Sequence, residues 1–358
     1  MKSATLLAAL PLSLLALTAT AQTEVAAYQP GVTADGITYF LPRTCLRVAV
    51  TARHTRHEPG EFCAYAERYL RLKDVPQTAY DTWTIEKVEL VPYGEADKTE
   101  AYSIKFKTKT SAPLVGLAKD GRLLSVNTKA AEEKALPTES VTPDAAKTLN
   151  AADYKTAEIL AAGSVAKMAE LTANEIYDIR ENRGALTKGQ ADFMPKDGEQ
   201  LRLMLSSLDT QEEALLQLFQ GTQTSETCVL VKDFVPEGET DKALLFRFSK
   251  YLGMVDDDDL AGNPVYISLK DKHTLPAVAE GDGKQKKEVE DLRYRVPSVS
   301  EVRVFTDTQT LATLSVPMAQ FGRTEHLGGE LFNKKYTTTL QLDPATGGIT
   351  RITGEEPK

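Results

Sequence analysis

ITYFLPRTCLRVAVTA, residues 37–52, is rich in β-branched and aromatic residues and predicts two strands, ITYFLP (37–42) and CLRVAVTA (45–52). AYSIKFKTK (101–109) alternates apolar and polar residues, as a strand with one buried face does. KDGRLLSVN (119–127) adds a tight-turn signal in front of a further strand. We therefore expect residues 22–135 to form a β-rich N-terminal domain, interrupted by one helix in PGEFCAYAERYLRLKD (59–74).

Short β-type segments return at regular intervals after residue 223. Strands of this length, separated by Gly, Pro, Asp and Asn, are typical of an antiparallel sandwich or small barrel, which we expect over residues 223–358. The segments are CVLVKDFV (228–235), ALLFRFS (243–249), NPVYISL (263–269), LRYRVPS (292–298), EVRVFT (301–306), TLATLSVP (310–317), YTTTLQL (336–342) and GITRIT (348–353).

Residues 136–222 have helical periodicity, which makes the fold class α+β, with a helical middle segment between β-rich N-terminal and C-terminal parts. YKTAEILAAGSVAKMAELTANEIYDIREN (154–182) carries apolar residues at spacings of mostly three to six. DGEQLRLMLSSLDTQEEALLQLFQG (197–221) follows a turn at Asp197-Gly198. Its second half is expected to start at Asp209 or Thr210, where acidic residues follow a capping side chain, and to stop at Gly221.

The first 21 residues have the pattern of a signal peptide. Lys2 is followed by an apolar stretch and by the small-residue pattern ATA at Ala19–Ala21. This predicts an exported protein, periplasmic or secreted, since no later segment approaches the roughly 20 apolar residues of a transmembrane helix. The net charge of −9 disfavours nucleic acid as a partner.

Three cysteines, Cys45, Cys63 and Cys228, allow at most one internal disulfide, and Cys45 with Cys63 is the closest pair in sequence. The alternative is that all three are small buried apolar side chains, because free cysteine is among the most buried residue types.

MVDDDDLAGNP, residues 254–264, places four aspartates before a Gly-Asn-Pro turn. An EF-hand loop started at Asp257 would put Ala261 and Ser268 at two ligand positions, so that motif fails. A looser calcium site remains, with Asp257 and Asp259 as its candidate ligands. The alternative is a solvated turn between two strands, where Asp is favoured because its side chain bonds nearby backbone amides.

Two further motifs raise enzymatic hypotheses. SVAK (164–167) has the S-x-x-K spacing of penicillin-binding enzymes, but the Lys-Thr-Gly strand of those enzymes does not occur in the sequence. HTRHEPGE (54–61) could hold zinc if the segment curled, although its order matches no zinc-protease motif. We expect the first to be part of an amphipathic helix and the second to be a solvated polar loop.

Five segments resemble the exported family catalogued as domain of unknown function 4831, seen in gut-type Bacteroidetes. They are YQPGVTADGITYFLPRTCLRV (28–48), PGEFCAYAERYLRLKDV (59–75), EIYDIRENRGALTKG (175–189), DGEQLRLMLSSLDTQEEALLQLFQG (197–221) and FSKYLGMVDDDDLAGNPVYI (248–267). The resemblance implies export. It implies no activity, substrate or catalytic residue, because none is assigned to the family.

The favoured function is a non-catalytic binding or structural module of the cell envelope, with an envelope protein or a glycan as partner. Glycan platforms use exposed aromatic rings, but Trp83 lies in a strand and Tyr65 and Tyr69 are one helical turn apart, so all three suit core packing. The alternative function is a hydrolase acting on cell-wall or polysaccharide material, with carboxylates from Asp256–Asp259 and another segment.

Overall fold

The computed structural model describes residues 24–27, 37–105, 114–144, 149–276, 292–328 and 337–355. The signal-peptide prediction for residues 1–21 therefore lies outside the described residues. The chain is strand-rich, with 49% strand and 22% helix, several antiparallel sheets and a half-barrel. The strands are β1 (Glu24–Ala27), β2 (Ile37–Glu58), β3 (Tyr80–Lys105), β4 (Val115–Leu117), β5 (Leu123–Val126), β6 (Ser140–Pro143), β7 (Thr222–Phe234), β8 (Thr240–Ser249), β9 (Gly253–Val255), β10 (Asn263–Asp271), β11 (Leu292–Phe305), β12 (Thr310–Leu327), β13 (Thr337–Leu342) and β14 (Ile349–Glu355).

The helices lie in the middle of the chain, apart from one short helix in the N-terminal part. In the described residues, no helix is both long enough and apolar enough to cross a membrane. The α-helices are α1 (Ala66–Leu70), α2 (Ala157–Leu160), α3 (Val165–Lys188) and α4 (Gly198–Gln220), and two 3-10 turns span Cys63–Tyr65 and Ala151–Tyr154.

Strand β2 is the centre of the first sheet, whose strand order is β1-β3-β2-β7-β6. It is 22 residues long and pairs antiparallel with β3 on one side and with β7 on the other. The two strands predicted over residues 37–52 are thus one continuous strand that also includes residues 53–58. Because β7 follows the helical segment, this sheet joins the N-terminal and C-terminal parts, and the predicted division at residues 135 and 222 stays a prediction.

Two further sheets pack against the first. The second sheet, in the order β12-β11-β10-β8-β9, shares with it a core that we call the sheet core. The third sheet, in the order β14-β13-β5-β4, includes the hairpin predicted at Asp120-Gly121 and packs over the early part of β2 through Tyr39 and Leu41. The β-rich architecture is confirmed, whereas the sandwich type stays a prediction. The buried residues of the sheet core are Leu46, Val48, Val50, Ala52, Val88, Leu245, Phe246, Phe248, Val265, Ile267, Leu269, Val302, Val304, Val316 and Met318.

Helices α3 and α4 form a hairpin that packs on the segment following β2. Asp197 caps α4 by accepting a hydrogen bond from the amide of Gln200 at 2.8 Å, and the helix ends at Gly221, which has a φ of 81°. The expected start at Asp209 or Thr210 is wrong, because α4 is continuous there. Asp209 instead pairs with Arg183 of α3 at 2.8 Å, so its carboxylate serves an interhelical contact and not a cap.

Candidate functional site

The aspartate run forms the turn between β9 and β10, and its backbone and side chains are tied to that turn. The amide of Asp259 donates to the carbonyl of Asp256 at 3.0 Å, and the Asp259 carboxylate accepts from the amide of Ala261 at 2.8 Å. The Asp257 carboxylate lies 3.2 Å from Lys232 Nζ, and the Asp257 carbonyl accepts from Arg247 Nε at 2.8 Å. These contacts are those of a capped surface turn.

The two calcium candidates have different partners. Asp257 is engaged by a lysine of β7, whereas Asp259 closes the turn on itself. No group of three or more His, Cys, Asp or Glu side chains in the described part of the chain is arranged to hold a metal ion. The calcium site at Asp257 and Asp259 stays a prediction.

The solvated polar loop expected at HTRHEPGE (54–61) is wrong for residues 54–58, because they are the end of β2 and pair with neighbouring strands. The two histidines lie three residues apart on an extended strand and so occupy opposite faces. His57 is buried and stacks on Tyr80 with ring centroids 4.9 Å apart. The two imidazoles therefore cannot bind the same zinc ion.

His54 is the centre of a polar cluster on the other face of the first sheet. Its ring stacks on Trp83 with centroids 4.2 Å apart, Nδ1 lies 2.8 Å from Glu226, and Nε2 lies 3.3 Å from Asp81. Gly253 packs directly against the Trp83 ring, because a Cβ atom at position 253 would lie only 3.1 Å from it. Both imidazole nitrogens have a carboxylate partner, so neither is left to act as a general base.

Ser164 explains the SVAK motif in structural terms. It is the N-cap of α3, and its side chain accepts a hydrogen bond from the amide of Lys167 at 3.2 Å. The Lys167 ammonium pairs with Glu170 at 3.0 Å and not with the serine. The S-x-x-K spacing is the spacing of a helix cap, and the expectation of an amphipathic helix is confirmed.

The three cysteines are free thiols. Cys45 and Cys228 are buried, as the second of the two alternatives requires, and Cys63 is half-buried. Burial raises the pKa of the Cys45 thiol to about 12 and also raises that of Cys228. Thiols held in the neutral form are poor nucleophiles.

A cavity of about 430 Å³ lies where β3, β12 and the β13–β14 turn meet the segment 132–136. Arg122 is buried at its edge and is paired with Asp120 at 2.7 Å, with Glu133 at 2.5 Å and with the carbonyl of Pro344. Tyr93 is also part of the wall, and burial raises the pKa of its hydroxyl. The charged groups here hold the segment in place and leave a mainly apolar cavity.

The lower half of the α3–α4 hairpin, which we call the base (residues 165–179 and 212–220), is covered by a third layer. Phe219 is fully buried and packs on Phe62 with ring centroids 5.5 Å apart. Tyr177 donates to the carbonyl of Tyr69 at 3.0 Å. The helix predicted in residues 59–74 thus belongs to the helical layer. The base buries Ala169, Thr172, Ala173, Ile176, Ile179, Glu212, Ala214, Leu215, Leu218 and Phe219.

The upper half of the hairpin, which we call the tip (residues 181–209), is differently packed. All of its residues are described, and Leu186 is the one buried among them. Phe193 is 68% exposed and Leu203 is 60% exposed. A groove of about 580 Å³ runs between the helices, and it is lined by residues that include Glu181, Ala185, Leu186, Phe193, Met204 and Leu208. This is the part of the hairpin where large apolar side chains are exposed.

The sequence contains a signal for this surface. The first half of α4 has leucine or methionine at positions 201, 203, 204, 205 and 208, which cover more than one helical face. A helix that packs on one neighbour needs one apolar stripe, so this helix has more apolar residues than its contact with α3 requires.

The comparisons with known proteins give a family and no function. No curated protein and no solved structure matches the chain. The family model described as domain of unknown function (DUF4831) matches residues 35–350, and the chain belongs to that family.

Proposed function

We propose that the protein is a non-catalytic binding module that docks a protein partner on the tip of the α3–α4 hairpin. One observation carries the proposal: a long helical hairpin whose base is covered by a third layer continues into a tip where Phe193, Met194 and Leu203 are left exposed. Burying apolar surface is the main favourable term in protein association, so such a tip gains free energy when a partner covers it.

Leucine, methionine and phenylalanine at the tip favour a protein partner over a glycan. Glycan sites need exposed ring faces, and the aromatic residues considered for that role are used elsewhere. Trp83 packs against the sheet core and stacks on His54, and Tyr65 and Tyr69 pack against the helical layer. Methionine adapts to irregular partner surfaces, which suits a groove lined by Met204.

The hydrolase alternative has weaker support. A general acid needs a carboxyl whose pKa is raised, and three carboxyls of the described chain have a lowered pKa instead. Arginine partners lower the pKa of Glu199, Asp233 and Glu325. The aspartate run is used in its own turn and in the ion pair of Asp257 with Lys232.

We also propose that the protein acts outside the cytoplasm, as a periplasmic or secreted component of the envelope. The proposal rests on the signal-peptide pattern of residues 1–21. N-terminal sequencing of the protein recovered from cell fractions tests it. A chain that begins at Gln22 in the exported fraction supports it, and an intact Met1 in the cytoplasm contradicts it.

Site-specific photo-crosslinking in the cells that make the protein tests the docking surface. A photoreactive phenylalanine placed at Phe193 or at Leu203 should give an adduct of defined mass with a protein. The matched control is the same residue placed at Lys129, which is 87% exposed and lies far from the hairpin in the chain.

Adducts that form at the tip and not at Lys129 support the proposal. Tip positions that crosslink no better than the control contradict it. The charged variant Leu203→Asp should abolish the Phe193 adduct without unfolding the chain, because Leu203 is exposed and its replacement opens no cavity.

A further inference from the structure

We infer that the partner at the tip is a second copy of this chain, docked antiparallel so that the two α3–α4 hairpins form a four-helix bundle. The inference rests on the proposed function, since it names the occupant of the same groove. A two-fold contact must be self-complementary, which means that each residue pair occurs twice with the roles exchanged. The α3 helix meets this condition in its charges.

The charges follow one stripe along α3. Asp178, Glu181, Ala185 and Lys188 recur at i, i+3, i+7 and i+10, which places them on one side of the helix. Glu181 and Ala185 line the groove, so the stripe borders it. The stripe is acidic toward the base and basic toward the tip.

These charges have no partner within the chain. Across the described residues, no ion pair or hydrogen bond engages the side chains of Asp178, Glu181 or Lys188. By contrast, Arg180 and Arg183, on the inner side of α3, are both paired with Glu212 at 2.6 Å. The stripe therefore has one cation and two anions without an ion-pair partner in the described chain, whereas Arg180 and Arg183 are paired.

An antiparallel pair of stripes matches these charges. Ten residues separate Asp178 from Lys188, which is about 15 Å along a helix. When two stripes cross near Ala185, Lys188 of each copy meets Glu181 of the other, and Asp178 lies about one helical turn further along the same stripe. Alanine at the crossing lets the two helices approach closely, and a parallel arrangement would instead oppose like charges.

The α4 side of the groove supplies the apolar part of this contact. Met204 and Leu208 line it together with Ser207, and no charge of α4 lies among the groove residues. Two such grooves placed face to face would bury the apolar residues of both tips in a bundle with two-fold symmetry. The charges of α3 would fix the direction of the pairing.

Sedimentation equilibrium of the full chain over about 1 to 100 μM tests the inference. We expect a monomer–dimer equilibrium that Lys188→Glu weakens about tenfold or more, because the substitution opposes like charges twice across a two-fold contact. The triple variant Asp178→Lys, Glu181→Lys, Lys188→Glu reverses every charge of the stripe and should restore the dimer. Lys129→Glu is the matched control and should leave the equilibrium unchanged.

Restoration of the dimer by the triple variant supports the inference. A chain that is monomeric at all concentrations overturns it, and so does a dimer that Lys188→Glu does not weaken. Failure here is distinguishable from failure of the proposed function. A monomeric chain whose tip still crosslinks to a different protein loses the second copy as partner and keeps the docking surface, whereas a tip without adducts loses both.

Discussion

The base and the tip of the α3–α4 hairpin contain the same types of apolar residue in different surroundings. At the base, Leu215 and Ile176 are buried beneath Phe62 and its neighbours, and at the tip Leu203 and Phe193 are exposed. The two helices alone bury one face each, and a third layer is needed to bury more. The covered half stabilises the fold, and the uncovered half leaves apolar side chains in contact with solvent.

The largest expected contrast between the halves is in side-chain truncation. Phe219→Ala removes a fully buried ring and should lower the free energy of unfolding by about 3 to 5 kcal/mol. Phe193→Ala, the matched truncation at the tip, should change it by no more than about 0.5 kcal/mol. Urea unfolding of both variants measures the difference. Equal losses in the free energy of unfolding would contradict the contrast between base and tip.

Hydrogen exchange should show the same contrast along a single helix. Amides of residues 212–219 are covered by the third layer, and those of residues 202–207 are on the uncovered half of α4. We expect protection to be about 100-fold higher in the first group, because local opening is easier where few apolar contacts hold the helix. Uniform protection along α4 would mean that the tip is as stably packed as the base.

Glu212 marks the boundary between the halves. It is buried and receives Arg180 and Arg183 at 2.6 Å each, so Glu212→Gln should lower the free energy of unfolding by about 1 to 3 kcal/mol. Glu213 is exposed, and Glu213→Gln is its neighbouring control, with an expected change within about 0.5 kcal/mol. Chemical denaturation of the two variants separates a structural charge from a solvated one.

The stability contributed by ion pairs should depend on pH both in the sheet and at the tip, with a smaller difference between the two regions than in the preceding experiments. The Arg47 guanidinium bonds both oxygens of Asp233 at 2.8 Å and holds the pKa of that carboxyl below its ordinary value. The pair therefore contributes stability above the ordinary pKa of aspartate, and the contribution disappears as the pH falls through the lowered pKa.

Asp233→Asn should thus destabilise the chain at pH 7, by about 0.5 kcal/mol since the pair is partly solvated, and the difference should vanish in strong acid. At the tip, Arg202 lowers the pKa of Glu199 in the same direction, but both groups are solvated. Glu199→Gln should give a smaller change. Unfolding curves recorded from pH 7 to acid compare the two, and a larger effect at the tip would contradict the assignment.

Calcium is expected to have the smallest effect. The aspartate turn is exposed like the tip, but the contacts of Asp257 and Asp259 are satisfied within the chain. A bound ion at about 100 times its dissociation constant would stabilise the fold by roughly 2.7 kcal/mol, which is a shift of a few degrees in Tm. Equal Tm values in calcium and in chelator are expected, and a rise that Asp257→Ala with Asp259→Ala removes would establish a calcium site.

Local patterns predicted the elements and missed the contacts between them. Alternation and turn residues identified the strands around Val48 and Phe246, and Gly221 marked the end of α4. The motif at Asp209 was misassigned because a capping pattern in mid-helix looks the same in sequence as one at a helix start. The partner that separates the two cases, Arg183, lies on the other helix.

The third layer of the base could not be predicted in this way. Phe62 and Phe219 meet across a long stretch of chain, and nothing in the periodicity of either segment identifies the other. The strand at His54 and His57 could not be predicted for a similar reason, since it exists through pairing with β3 and β7. The apolar surface of the tip is easier to predict, because its surplus of apolar residues is visible in the sequence of α4 alone.

One edge of strand β2 cannot be paired until long after β2 itself has been synthesised. Its hydrogen-bonding partner β7 begins at Thr222, which follows Glu58 by 164 residues. At about 5 to 20 residues per second, that strand edge stays unpaired for roughly 10 to 30 seconds while the remaining chain is synthesised. An open edge carrying Leu46, Val48 and Val50 can pair with other chains, so a nascent chain halted before residue 222 should be a substrate for chaperones.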